Sequence, residues 1–382
     1  MRTRGGNSRC VALYLEIACL VVVTAVLMMG CENGSTATAL LTHTPAFLVA
    51  LDDTNSADNV SVFSVNASTG ELTEVSGSPF TTGLSYGAGA VVHPTHGNWV
   101  FAADWDGNVQ ALVLGTNGTP TVASTESSGY GDFGWVNGGM AVTADGKYLY
   151  TTTDDSDIVA WSIDQNTGAL TKIGTYTTPS MNCTYGVAVS GNFLYINDDC
   201  SYTVQVATIG SDGLLSDLQT VDVPNTDSYL WTLAVDKSGK FLYVGDESAT
   251  LTRYSIGSDG KLTFLGQTTR NGGDGDMDSI SFSADNKFLY TTTDRSGTAV
   301  FSIDQSTGNL AEIAGSPFGT EDSYGAVVVD PSSKFVYVSD DGSDIVAYKR
   351  NQTDGTLSPL SGTSPTTYST KYGSSYGFAV TW

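Results

Sequence analysis

The sequence predicts an all-β fold, a seven-bladed propeller of four-stranded antiparallel blades whose ring is closed by the C-terminal strand. Three observations predict it. A phrase of aromatic, apolar and aromatic residues leading to Asp recurs seven times, at Phe47, Trp99, Tyr148, Phe193, Phe241, Phe288 and Phe335, at intervals of 52, 49, 45, 48, 47 and 47 residues. Each copy has the same flanks, as in WTLAVDKSGK before FLYVGD and GTAVFSIDQSTGNL after FLYTTTD. The first copy lacks an inner strand before it, while SYGFAV at residues 375–380 matches an inner strand with nothing after it. Four short period-two strands in a unit of about 45–50 residues make one propeller blade. A fixed period of this size sets the architecture before any single strand is assigned.

Composition bounds the rest. The chain has 382 residues, 40% hydrophobic and 10% aromatic, enough to bury a core. With 16 Lys+Arg against 40 Asp+Glu its net charge is −24, and no basic block interrupts it, so nucleic acid is excluded as a partner.

The N-terminus reads as an export leader. Arg2, Arg4 and Arg9 precede an apolar stretch at 11–29 broken only by Glu16. Met28-Met29-Gly30-Cys31 resembles the lipobox of bacterial lipoproteins, with Met where that motif usually has Leu and Ala or Ser. The resemblance implies lipidation at Cys31; an uncleaved anchor and plain secretion stay open, and all three export the domain. Residues 1–30 are thus assigned to the leader, 31–45, with His43, to a tether, and 46–382 to the propeller. Removing the leader takes the charge to −26.

The cysteines divide by position. Cys10 and Cys19 belong to the leader, and Cys183 and Cys200 to one blade. Their hairpin turns at Gly191-Asn192, which places the two directly opposite at a non-hydrogen-bonded pair, so a disulfide is expected in an oxidising envelope.

In propeller geometry, the loops leading into the inner strands share a face with the turns joining second and third strands. The loops bring Tyr86, Trp135, Tyr185, Tyr229, Trp231, Tyr324 and Tyr376; the turns bring a series of carboxylates including Asp155, Asp199 and Asp341. Stacking faces beside directional acceptors suit a sugar or another neutral polar ligand. The competing reading is that such Asp cap their own turns and the aromatics pack between blades. Asp274, Asp276 and Asp278 alternate as in the start of a calcium loop, but the loop's Gly and bidentate Glu are missing. No cofactor is therefore expected, with calcium a weak alternative. His93 and His96, in VVHPTHGNW, fall on the opposite face and read as turn residues.

The repeats resemble the Tyr-Val-Thr-Asn propeller repeat and, more broadly, the seven-bladed lactonase family related to 6-phosphogluconolactonase. That resemblance implies lactone hydrolysis, which in the family is associated with Gly-Pro-Arg-His before inner strands. The corresponding stretches here, LSYGAGAVV, TYGVAV, YLWTLAV, MDSISF and DSYGAVVV, contain neither Arg nor His. Arg270 and Arg295 remain as weak catalytic candidates. The expectation is a monomeric, envelope-facing module that binds a sugar, a lactone or an envelope protein, touches membrane only through its N-terminus, and hydrolyses lactones weakly or not at all. A lactonase and a structural scaffold are the alternatives.

Overall fold

The computed structural model describes residues 43–44, 46–52, 58–130, 139–153, 156–177, 183–224, 228–272, 275–293, 296–319, 325–340, 344–362, 366–370 and 375–382. The leader, Cys31, Trp135, Asp155, Asp274, Arg295, Tyr324 and Asp341 lie outside these residues, as does the side chain of Tyr376. Contacts group Leu40–Trp382 as one unit, separate from Met1–Ala39.

Seven antiparallel sheets form, one for each copy of the motif. In the second blade Gly87–Val92, Trp99–Asp104, Asn108–Leu114 and Pro120–Ser127 pair in chain order from axis to rim. The first blade starts at its second strand, Phe47–Asp52, whose inner neighbour is Ser375–Val380. In blades 1 and 7 the rim strand is split in two: Leu72–Glu74 with Phe80–Thr81, and Leu357–Pro359 with Thr366–Ser369. The end of the tether joins the ring, because the His43 ring stacks on Trp382 at 3.9 Å and Ala46 N–H donates to Thr381 O.

There is no single core. Seven apolar clusters each span two adjacent blades, so successive residues of one strand serve different interfaces. Leu48 and Ala50 pack toward blade 7, Val49 and Leu51 toward blade 2. A strand buried on both faces must be apolar throughout, which is why the second strands read as continuous apolar runs.

The recurring aromatic phrase is the joint between blades. Its first residue covers a positive-φ glycine in the hairpin of the next blade's third and fourth strands: Phe47 on Gly118, Trp99 on Gly168, Tyr148 on Gly213, Phe193 on Gly260, Phe241 on Gly308, Phe288 on Gly355 and Phe335 on Gly70. In five blades the Tyr two residues later donates its hydroxyl to that glycine's carbonyl, as Tyr195 does to Gly260 at 3.0 Å and Tyr243 to Gly308 at 2.8 Å. Glycine is required there twice over, by its φ and by the ring lying where a Cβ would stand.

Candidate functional site

The inner strands surround a central channel of about 430 Å³. Its described lining is mostly Gly, Ala, Val, Leu and Ile, with Met140, Phe282, Phe378, Thr232, Ser279 and Ser281; its one charged member is Lys237. No Arg or His stands among these residues, in keeping with the sequence.

Around the aromatic and acidic mouth, most carboxylates that end second strands cap turns. Asp104 accepts from the N–H groups of Ser85 and Asn108 and from the Asn108 side chain. Asp198 accepts from Cys183 and Ser201 N–H, and Asp246 from Ser248 and Thr250 N–H. These side chains hold their own loops, as the structural reading had it.

Asp199 behaves differently. It is 5% exposed and reaches into the next blade, where its Oδ1 accepts from Leu230 N–H at 2.8 Å. Burial raises its pKa, the Leu230 N–H opposes this, and the charges of Asp198 and Glu247 reinforce it; the result is a carboxyl lifted to about 6. Beside Leu230 stand Tyr229 and Trp231. The Trp231 ring lies 6.0 Å from Tyr229 and meets Tyr185 edge to face at 5.2 Å.

Two bulges bring this cluster together. In blade 4, Thr184 pairs with Asp198 and Val187 with Ile196, so Tyr185 and Gly186 both oppose Asn197. Asn197 fills the gap, accepting from Gly186 N–H at 2.6 Å and donating to Leu230 O of blade 5 at 2.5 Å. In blade 5, Leu230 pairs with Asp246 and Thr232 with Gly245, leaving Trp231 as the extra residue. A bulge bends its strand and re-aims the side chain it carries.

The blade 4 bulge also corrects the cysteine register. It shifts the pairing by one, so Cys183 is not directly opposite Cys200; its carbonyl instead accepts from Asp199 N–H at 2.9 Å. The disulfide is nevertheless present, with Cα atoms 5.3 Å apart, because Cys200 stands in the turn following Asp198 and Asp199. The bridge clips the turn that carries Asp199.

Other candidates are placed elsewhere. Tyr86 stacks on Trp105 in blade 2, at 6.3 Å. Arg270 is 6% exposed, and its guanidinium donates to Ser296 Oγ in blade 6, bridging two blades; it is not among the residues lining the channel. Asp276 and Asp278 flank Met277, which is fully buried in the cluster between blades 5 and 6. Among the described residues no three metal-ligating side chains converge. His93 is buried, contacts Gly146 O through Nε2 and accepts from Thr95 and His96 N–H through Nδ1, so it caps its turn as expected. Sequence reading missed Glu247 and Lys237. The first was hidden because the repeated phrase ends at Asp246, one residue before it, the second by its place in an ordinary-looking turn.

The family model of the seven-bladed β-propeller lactonase matches residues 138–368, more than half of the chain. The chain belongs to the seven-bladed lactonase propeller family. Solved structures with the same fold include a protein of Bacteroides uniformis provisionally named a 6-phosphogluconolactonase, 18% identical with a TM-score of 0.72 over 88% of this chain and 100% of that one. The periplasmic gluconolactonase of Pseudomonas aeruginosa is 16% identical, with a TM-score of 0.71 over 88% and 99%. A protein of Lactobacillus plantarum, 17% identical, has a TM-score of 0.71 over the same shares. At these identities the likeness is one of fold. No functionally curated protein matches. Within this lactonase propeller, the cluster around Asp199 combines an acid buried against the next blade with aromatic faces.

Proposed function

We propose that this chain is an exported lactonase that hydrolyses a neutral sugar lactone at the mouth between blades 4 and 5, with Asp199 as general base. The observation that carries the reading is the carboxyl lifted to about 6 beside Tyr185, Tyr229 and Trp231. At neutral pH such a group is ionised yet basic enough to take a proton from water as it attacks a carbonyl. Water adds to the lactone carbonyl carbon, the ring C–O bond then breaks, and the proton held by Asp199 goes to the departing ring oxygen, giving the hydroxy acid. The aromatic faces supply stacking for the sugar ring. The Trp231 indole N–H is buried with no acceptor among the described residues, so it is a donor for a lactone oxygen.

Sequence alone weighed toward binding without turnover; family membership weighs toward the hydrolytic alternative. A neutral substrate fits better than a phosphorylated one, because the chain carries −24 and the described lining of its channel includes no Arg. Export is supported by the Cys183–Cys200 bridge and by the periplasmic relative.

The second reading, a sugar-binding module without turnover, rests on the absence of Arg and His from the described channel lining. Hydrolysis of glucono-δ-lactone and of 6-phosphogluconolactone, corrected for spontaneous opening, separates the readings. The lactonase reading expects turnover of the neutral lactone exceeding that of the phosphorylated one; saturable binding of the lactone with no turnover supports the module.

A further inference from the structure

At the end of the channel opposite Asp199 stands Lys237, without a partner among the described residues. In blades 2, 3, 6 and 7 the turn from inner to second strand starts with a capping residue, and the next position is Pro94, Ala144, Ala284 and Pro331; blade 4 turns on Gly191-Asn192 instead. In blade 5 the cap is Asp236 and the next residue is Lys237. Asp236 is fully engaged, accepting from the N–H groups of Ser238, Lys240 and Phe241 and from the Asn286 side chain. Lys237 N–H donates to Asn286 Oδ1, but its ammonium has no hydrogen bond or ion pair among the described residues, and Lys237 is one of the residues lining the channel.

The channel around it is apolar. Val91, Val142, Val189, Val235, Phe282 and Val328, from the later parts of six inner strands, line it together with Lys237. Ser281 Oγ, in the adjacent blade, accepts from Val329 N–H and keeps its own proton to donate. Lys237 is solvent-exposed at this rim, so its ammonium stays hydrated while the wall beside it is apolar. An ammonium at the edge of an apolar wall attracts an anion by charge, and the wall favours a carbon chain attached to that anion.

We infer that this end of the channel is a second ligand site, distinct from the Asp199 cluster, which takes a short aliphatic carboxylate: the carboxylate on Lys237 and Ser281, the chain among the valines and Phe282. The apolar lining favours a carbon chain over a naked inorganic ion. One ammonium balances one negative charge, so a dianion would remain uncompensated in a protein of charge −24.

Isothermal titration of the purified protein with hexanoate, hexanol, acetate and inorganic phosphate tests this. Saturable binding of hexanoate is expected, at least tenfold tighter than hexanol or acetate, and weakened at least tenfold in Lys237→Met with lactone turnover unchanged. Lys237→Gln, which keeps a polar end without charge, should show the same loss. Hexanoate binding untouched by both variants would overturn the site. Phosphate binding as tightly as hexanoate would overturn the aliphatic assignment. Lactone turnover lost together with hexanoate binding would overturn its separateness from the Asp199 cluster.

Discussion

The Tyr337 hydroxyl donates to the carbonyl of Gly70 at 2.9 Å, across 267 residues of sequence. This bond and the Phe335 ring on the same glycine join blade 7 to blade 1, and the same pair of contacts joins neighbouring blades at four other seams. Ring closure therefore has two supports: the C-terminal strand inside blade 1, and this aromatic joint at the seam.

The seam can be weakened in two steps. Tyr337→Phe removes one buried hydrogen bond and leaves the Gly70 carbonyl without that donor, a loss of about 1–3 kcal/mol. Gly70→Ala should cost more, because its φ of +79° disfavours any side chain and the new Cβ would collide with the Phe335 ring. Urea unfolding of both variants checks the order, and a Gly70→Ala protein as stable as the wild type would refute the joint.

The disulfide should stabilise the protein and hold the site. Its ends are 17 residues apart, so losing it through Cys183→Ser with Cys200→Ser costs about 2–4 kcal/mol. Because the bridge clips the turn bearing Asp199, kcat for lactone hydrolysis should also fall. Non-reducing peptide mapping reads the bridge, and unfolding and turnover read its consequences.

Asp199 gives a pH signature in stability. Its pKa is raised in the folded state, so the fold holds this proton more tightly than the unfolded chain does. As pH rises from about 4 the unfolded chain ionises first and the fold loses stability, a loss complete above the folded value of about 6. Asp199→Asn removes that loss, so its stability relative to wild type should grow by up to about 3 kcal/mol between pH 4 and pH 7. Melting curves across that range measure it; a constant difference would mean that the carboxyl is not desolvated.

Anchoring is tested at Cys31. Cys31→Ser should release the protein from the membrane fraction, and a variant that stays anchored with residues 1–30 intact would replace the lipobox with a membrane helix.

The fold was legible because every repeat carries the ring that covers the next blade's glycine and five add the tyrosine: Phe193 and Tyr195 meet Gly260 just as Phe288 and Tyr290 meet Gly355. The site was legible only in composition. Tyr185, Trp231 and Asp199 could be named from their loops, but a bulge is one extra residue with no signature of its own, and two bulges make the cluster. The same bulge broke the register used for Cys183 and Cys200 while leaving their bridge intact. Asp198 and Asp199 are adjacent and chemically identical. Only the fold shows that the first caps its own turn and the second is buried against the next blade. Arg270 looked available to a substrate because sequence does not reveal that it spans two blades to reach Ser296.

The most direct measurement is the pH dependence of kcat/KM for glucono-δ-lactone in the wild type and in Asp199→Asn, with spontaneous opening subtracted at each pH. Activity should rise with pH through an inflection near 6 and be reduced at least a hundredfold in the variant, with the inflection gone. A variant that keeps wild-type turnover and the same inflection would contradict Asp199 as the base.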